Sequence, residues 1–339
     1  MKDKKLIEFL SEKGLRLRAW LSGSAKWPEL DEAVRKSYAL NSFFSPYMQR
    51  RALEAIAASY LSEEKLRPWL ERYNIDCDCP VVFEERPRCG IVAAGNIPAV
   101  AFSDIMAAIV CSYIPLVKLS SKDPFLIPAI FPEIEYVGNV EELYGHADAL
   151  LTMGGDNAAR SLNEKFSGLP KIVRGSRYSA AVLKGGESDE ELGALSEDIL
   201  LYYGLGCRNV TLLFVPENYD FSALSVHIED FAKRNFEKFY FDNLRRERAI
   251  SVLSNESFID GGSIIYKRPA ADITLPPLAT VWYLPYSGQD EIDKFITLNS
   301  DHIQKIFLKF GIAQEPALDD YSDGIDVVEF LKGAQNTKR

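Results

Sequence analysis

Cys207 stands in the stretch Tyr202-Tyr203-Gly204-Leu205-Gly206-Cys207-Arg208-Asn209-Val210, where a helix is expected to end and a strand to begin. Glycines before it let backbone and ligand come close. The adjacent arginine favours thiolate over thiol, the form that acts as a nucleophile. An inert buried thiol is the alternative, since free cysteines are often buried. Asn96, in Gly95-Asn96-Ile97-Pro98, falls at a predicted strand end before a predicted helix. Its amide can aim an N–H at an oxyanion, the donor that a cysteine acyl transfer needs beside its own backbone N–H. The competing role is that of a turn asparagine. Lys118 closes an apolar strand, where an ammonium must leave the core for solvent or meet a ligand such as a ribose or phosphate.

The elements that must position these groups follow from hydrophobic patterning. Residues 1 to about 75 read as an N-terminal helical layer, with Leu6, Phe9 and Leu10 on one face and an amphipathic run from Tyr47 to Ile56. Strands are expected at Pro80-Val81-Val82-Phe83 and at Cys89 to Ala94, the latter followed by a small-residue helix from about Ala99 to Cys111. The pattern recurs at Tyr113–Leu119, where Asp123 and Pro124 supply a cap and first position for the next helix. It recurs again at Ala149–Met153, stopped by Gly154-Gly155 before a helix at Asp156. Apolar strands alternating with helices predict a parallel sheet covered on both faces, with ligands at the strand C-terminal ends.

Two short strands, at Lys171–Arg174 and Ser179–Leu183, precede a Ser188-x-x-Glu191 capping box that opens the helix leading to Cys207. Further on, a strand is expected at Thr211–Pro216, a helix from Tyr219 to about Asn243, a turn at Asp260-Gly261-Gly262 and a strand at Thr280–Pro285. Two domains are expected: 1–185, the helices and a dinucleotide-binding unit, and 186–339, the cysteine-bearing unit with a C-terminal return segment.

Composition narrows the partners. A formal charge of -10 gives no global reason to bind nucleic acid or an anionic membrane. The longest apolar run, Ile97 to Val110, is broken by Ser103 and Asp104 and is too short to span a bilayer. The charged start Met1-Lys2-Asp3-Lys4-Lys5 lacks an apolar signal core. Five scattered cysteines, Cys77, Cys79, Cys89, Cys111 and Cys207, argue against a disulfide framework and for a reducing compartment, with the cytoplasm expected. Cys77-Asp78-Cys79 lacks the second half of a zinc site, and no metal is expected. Gly204-Leu205-Gly206 is no dinucleotide fingerprint, because a helix precedes it and Asn209 holds the third glycine position. Asp319 to Gly324 is no calcium loop, because Tyr321 occupies a ligand position and Phe330 the place of the bidentate glutamate.

Taken in order, Gly95-Asn96-Ile97-Pro98, Val117-Lys118-Leu119-Ser120-Ser121 and Gly204-Leu205-Gly206-Cys207-Arg208-Asn209 resemble the aldehyde dehydrogenase superfamily and, within it, the acyl-CoA reductase (LuxC-like) family. The segment from Phe310-Gly311-Ile312-Ala313-Gln314-Glu315-Pro316 to Asp323-Gly324 is similar to the reductases as well. The resemblance implies an α/β, aldehyde-dehydrogenase-like fold: a parallel-sheet cofactor-binding domain, an α/β catalytic domain and the N-terminal helical layer. It also implies Cys207 as nucleophile, Asn96 as oxyanion donor, and Lys118, Ser120, Ser121, Gly154 and Gly155 around a nicotinamide dinucleotide. The water-activating glutamate of hydrolytic members has no counterpart in Ile172-Val173-Arg174-Gly175-Ser176. That departure points to acyl exchange with a thiol, so the substrate expected is acyl-CoA or another acyl thioester, reduced to an aldehyde. Ser121 stands where NAD-preferring members often carry a glutamate, which favours NADPH, with NADH as the alternative. A homodimer is implied. A non-redox cysteine acyltransferase and a catalytically silent scaffold of the same fold are the competing readings.

Overall fold

The computed structural model describes residues 4–81, 84–270, 273 and 275–336. Met1 to Asp3, which open the charged N-terminus, and Val82 and Phe83, half of the first expected strand, lie outside the described residues. The N-terminal layer is formed by α1 (Leu6–Leu21), α2 (Pro28–Leu40), α3 (Pro46–Ala55) and α4 (Glu63–Arg72). Both α2 and α3 begin with a proline, whose missing N–H is not needed in a first turn. The Ser45 side chain caps α3 by accepting the Met48 N–H at 3.3 Å. Gly14 lets α1 approach the turn that follows α3, for a Cβ there would lie 2.1 Å from the Leu61 carbonyl oxygen.

The chain then enters an α/β unit: β1 (Arg88–Val92), α5 (Phe102–Val110), β2 (Ile114–Lys118), α6 (Leu126–Ile130), β3 (Glu135–Tyr136), β4 (Ala149–Met153), α7 (Asp156–Lys165) and β5 (Lys171–Arg174). These strands form one sheet in the order β3-β2-β1-β4-β5, every pair parallel. The inner strands are almost wholly buried, the pattern of a parallel sheet covered on both faces. The N-terminal helices share its core, where the Phe131 ring packs against Phe9 at 6.2 Å and Phe102 at 5.4 Å.

A second unit carries β6 (Tyr178–Val182), α8 (Asp189–Leu200), β7 (Val210–Pro216), α9 (Ser222–Asn235), α10 (Lys238–Leu253), β8 (Phe258–Asp260), β9 (Ile265–Lys267), β10 (Thr280–Tyr286), α11 (Gln289–Asn299) and β11 (Ile303–Phe307). Its strand order is β11-β6-β7-β10-β9-β8, with β8 antiparallel to β9 and the other pairs parallel. The expected helix from Tyr219 to about Asn243 is two helices, broken at Phe236-Glu237, and the Asp260–Gly262 turn belongs to a hairpin that patterning did not reveal.

The domain boundaries differ from expectation in two ways. The compact units are Met1–Gly175 with Pro316–Arg339, and Ser176–Glu315. The crossover lies before 185 because β6 is hydrogen-bonded between β11 and β7, so it belongs wholly to the second sheet. The C-terminal segment, expected with the cysteine unit, returns to the first. There α12 (Val327–Asn336) takes a hydrogen bond from Tyr113 Oη to the Leu331 carbonyl at 3.1 Å, and Tyr73 Oη donates to Asp326 at 2.6 Å. Tyr321, in the acidic loop before α12, accepts from Trp69 Nε1 at 3.0 Å.

The end of one strand of the first sheet is tied to α5 by an ion pair. Arg174 ends β5 and donates to Asp104 on α5 at 2.7 Å, both side chains being almost fully buried. Removing one member leaves the other charge buried without its counter-charge, a loss of about 3 to 5 kcal/mol. Asp104→Asn is therefore expected to lower unfolding free energy by about 3 kcal/mol in a urea titration, and a change under about 0.5 kcal/mol would show that the pair is not a fixture of the folded state.

Candidate active site

The first sheet reverses direction between β1 and β4: the chain runs outward through β2 and β3, then returns to place β4 on the other side of β1. The crevice outside the strand C-termini at such a switch point is where open α/β sheets bind ligands. Asn96 follows β1, Lys118 ends β2 with Ser120 and Ser121 beyond it, and Gly154-Gly155 follows β4. The six first-unit residues expected at the site thus share one edge of one sheet.

The Asn96 turn and the Lys118–Ser121 turn are built against each other. Val92 is in register with Lys118, and the Ala93 N–H donates to the Lys118 carbonyl at 3.0 Å. Gly95 must be glycine, because a Cβ there would lie 2.2 Å from Ser120 Oγ. Past Asn96-Ile97-Pro98, Ala99 takes a left-handed conformation at φ 54°, a strain of about 1 to 3 kcal/mol for a residue with a side chain. Its N–H is held by Asp123 Oδ2 at 2.7 Å. Asn96 itself is exposed, Lys118 and Ser120 are half-buried, and Ser121 is exposed.

Asp123 corrects a sequence expectation. Its helix, α6, begins at Leu126 and not at Pro124, and Asp123 is buried as the brace of the Asn96 turn. Burial pushes its carboxyl up to about 6, against the opposing pull of the Ala99 and Leu126 N–H groups. The helix after Asn96 likewise starts late, at Phe102, because 99–101 form the strained turn. On the other side of the switch point Gly155 is the cap residue of α7, and a Cβ there would meet nothing within 4 Å. The start of α7 is thus open to a ligand's approach. Asp156 lies against Gly175, whose Cβ would stand 2.7 Å from its carboxylate.

In the second unit Cys207 occupies the turn between α8 and β7 and is half-buried. The capping box of α8 forms as expected, with reciprocal bonds between Ser188 and Glu191. The helix then ends in a 3-10 turn, Leu201–Gly204, in which Tyr202, Tyr203 and Gly204 all have positive φ. Tyr203 is held there by stacking on Phe236 at 4.4 Å and by the Phe239 ring at 5.1 Å. Asn209, wholly buried, closes the turn: Oδ1 accepts the Gly206 N–H at 2.8 Å and Nδ2 donates to the Leu201 carbonyl at 2.8 Å. Ser179 Oγ donates to the Cys207 carbonyl at 2.9 Å, and the strand register shifts between Ser179 and Ala180, opposite the start of β7. Such irregularities re-aim side chains beside functional sites.

Arg208 turns to the segment after β11, with Nε donating to the Ala313 carbonyl at 2.6 Å. Asp198, on the buried face of α8, accepts from the Gly311 and Ala313 N–H groups at 2.6 and 3.0 Å. Burial pushes its carboxyl to about 6. Sequence reading gave Asp123 a capping role only and assigned no site role to Ser179, Asp198 or Asn209. One signal was available: an acid at 198 interrupts the apolar Leu192, Leu195, Ile199 face of a helix, where it must find buried donors. Of the other thiols, Cys89 and Cys111 are buried and raised by desolvation, while Cys77 and Cys79 are half-buried and also raised by it.

No family model matches the chain, and no curated protein matches it. Solved structures do. Aldehyde dehydrogenase 21 from Physcomitrella patens, in complex with succinate, superposes with a TM-score of 0.60 at 12% identity, over 98% of this chain and 85% of that one. An aldehyde dehydrogenase of Mycobacterium tuberculosis complexed with NAD+ gives 0.56 at 11% identity, over 96% and 84%. An NADP-dependent enzyme of E. coli gives 0.56 at 12%, over 89% and 78%. The chain therefore has the α/β fold of the aldehyde dehydrogenases. Among the described residues no helix is long and apolar enough to cross a membrane.

The Asp123 brace has a pH signature. Its folded value of about 6 lies above the ordinary 3.8, so between these pH values the folded state holds a proton that the unfolded state has lost. Its contribution is full below pH 3.8 and is lost as pH rises through about 6. Asp123→Asn keeps an acceptor for the Ala99 N–H and removes the titration. From pH 4 to 7 wild-type stability should fall relative to this variant by about 2 to 3 kcal/mol in urea unfolding; a constant difference would contradict the assignment.

Proposed function

We propose that this protein reduces an acyl thioester, acyl-CoA in the first instance, to an aldehyde through an acyl-enzyme on Cys207, with NADPH as reductant. The observation that carries the reading is the convergence of Asn96, Lys118, Ser120, Ser121, Gly154 and Gly155 on the C-terminal edge of one parallel sheet, around its switch point. A nicotinamide dinucleotide fits these residues. Gly155 leaves the first turn of α7 open to a pyrophosphate, and Lys118 presents a cation at the end of an apolar strand. Ser121 puts no carboxylate against a ribose 2'-phosphate, for which Lys118 and Lys122 are the cationic partners.

The Cys207 thiolate attacks the thioester carbonyl, forming the Cys207 carbon–sulfur bond and expelling coenzyme A, which leaves as a thiolate and takes up a proton. Asn96 and the Cys207 backbone N–H stabilise the oxyanion. A nicotinamide held by Lys118, Ser120, Ser121, Gly154 and Gly155 would supply the hydride. The resulting thiohemiacetal on Cys207 collapses, its carbon–sulfur bond breaks, the aldehyde leaves and the thiolate is regenerated. At the end of β5, Arg174 is held in its pair with Asp104, and the stretch 172–176 offers no carboxylate to activate water. That supports thioester chemistry over hydrolysis.

Steady-state NADPH oxidation with a panel of acyl-CoAs tests the reading. Cys207→Ala should bind NADPH as wild type does and show no acyl-CoA-dependent oxidation, while Asn96→Ala should lose about 100-fold in kcat. Retained turnover in Cys207→Ala would overturn the nucleophile, and an unchanged kcat in Asn96→Ala would remove it from the oxyanion. Acyl transfer by wild type with no use of the nicotinamide would favour the non-redox transferase.

A further inference from the structure

The peptide of Ala313 is gripped at both ends by residues that lead to the Cys207 turn. Its N–H donates to Asp198 Oδ1 at 3.0 Å, and its carbonyl accepts from Arg208 Nε at 2.6 Å. The other Asp198 oxygen accepts the Gly311 N–H at 2.6 Å. The Asp198 main-chain carbonyl accepts from Asn209 Nδ2 at 3.0 Å, so the same residue anchors both the strap after β11 and the end of the nucleophile turn. The Arg208 guanidinium lies 5.8 Å from the centre of the Phe307 ring, at the root of that strap. Gly311 adopts φ +82°, and a Cβ there would come within 3.1 Å of Ala194 Cβ on α8, so glycine lets the strap lie this close to the helix.

Apolar burial does not fix the whole strap, since Leu308 and Ile312 are exposed at 66% and 53%. Ala313 is buried between two charge-assisted hydrogen bonds, which are stronger than neutral ones. The polar clamps carry the geometry.

We infer that Asp198 and Arg208 are positioning residues that, through the Ala313 peptide, hold the Cys207 turn in its reactive geometry, an inference that rests on the acyl-transfer reading of Cys207. Arg208 then acts by holding the turn.

The experiment compares wild type, Asp198→Asn, Arg208→Met and Arg208→Lys. One measurement is the pH dependence of iodoacetamide alkylation, read on the Cys207 peptide by mass spectrometry. The other is steady-state kinetics with acyl-CoA and NADPH. Asp198→Asn keeps one of two acceptors, and Arg208→Met keeps the stem but loses the donor. In both, kcat should fall by about tenfold with KM little changed. The alkylation plateau should rise by about threefold as the loosened turn exposes Sγ, at an unmoved pH midpoint. Arg208→Lys, which retains a donor, should recover most of the loss.

A midpoint that moves up in Arg208→Met would assign Arg208 to thiolate stabilisation and overturn the inference. Wild-type kcat in both folded variants would overturn it while leaving the acyl-transfer reading intact. If wild type turns over no acyl thioester, that reading falls, and the alkylation plateau alone decides: raised at constant midpoint supports the positioning role, unchanged overturns it. If Asp198→Asn does not fold, the two Arg208 variants decide in its place.

Discussion

The buried carboxylate of Asp123 is the constraint on which the first unit's site depends. It holds the N–H of Ala99, a residue forced into left-handed backbone immediately after Asn96-Ile97-Pro98. The brace offsets a strain of about 1 to 3 kcal/mol. A charged side chain is costly at this depth, and its raised proton affinity records the cost. The contact also fixes where Asn96 stands relative to Lys118, because Asp123 follows the Lys118–Ser121 turn while Ala99 follows Asn96. The close approach of Gly95 to Ser120 and the bond from Ala93 to the Lys118 carbonyl complete the same junction.

The second unit solves a parallel problem with different chemistry. Its Cys207 turn contains three consecutive left-handed residues, two of them tyrosines, and is closed by a buried asparagine. Strain concentrated beside a thiol, and held by aromatic stacking and the hydrogen bonds of a buried asparagine, is typical of a site that must present one geometry. Arg208 could be read from sequence either as a charge that tunes the thiol or as a loop anchor, and its bond to the Ala313 carbonyl favours the anchor.

Much of this architecture was legible in the residue pattern. The strand, glycine turn and helix rhythm from Cys89 to Asp156 reproduces β1 to α7, and the capping box at Ser188 forms as written. The edge that gathers Asn96, Lys118 and Gly155 follows from parallel topology once the strands are recognised. What escaped was set by contacts distant in sequence. Nothing local shows that β6 pairs with β11 and β7, so the crossover was expected later than it falls. Nor does anything near residue 316 show that the C-terminal helix returns to the first unit, where Tyr73 and Tyr113 meet it. Asp123 had the spacing of a helix cap, and tertiary burial gave it another task. The Phe258–Lys267 hairpin was too short for its alternation to stand out.

On the proposed mechanism Cys207 carries the acyl group. Intact-mass and peptide mass spectrometry of the protein after brief incubation with an acyl-CoA, without and then with NADPH, tests it directly. The expected result is an acyl adduct confined to the Cys207 peptide, stable without reductant and discharged as free aldehyde when NADPH is added. An adduct on Cys77, Cys79, Cys89 or Cys111, an adduct released as the carboxylic acid, or aldehyde formed by a Cys207→Ala protein would contradict it.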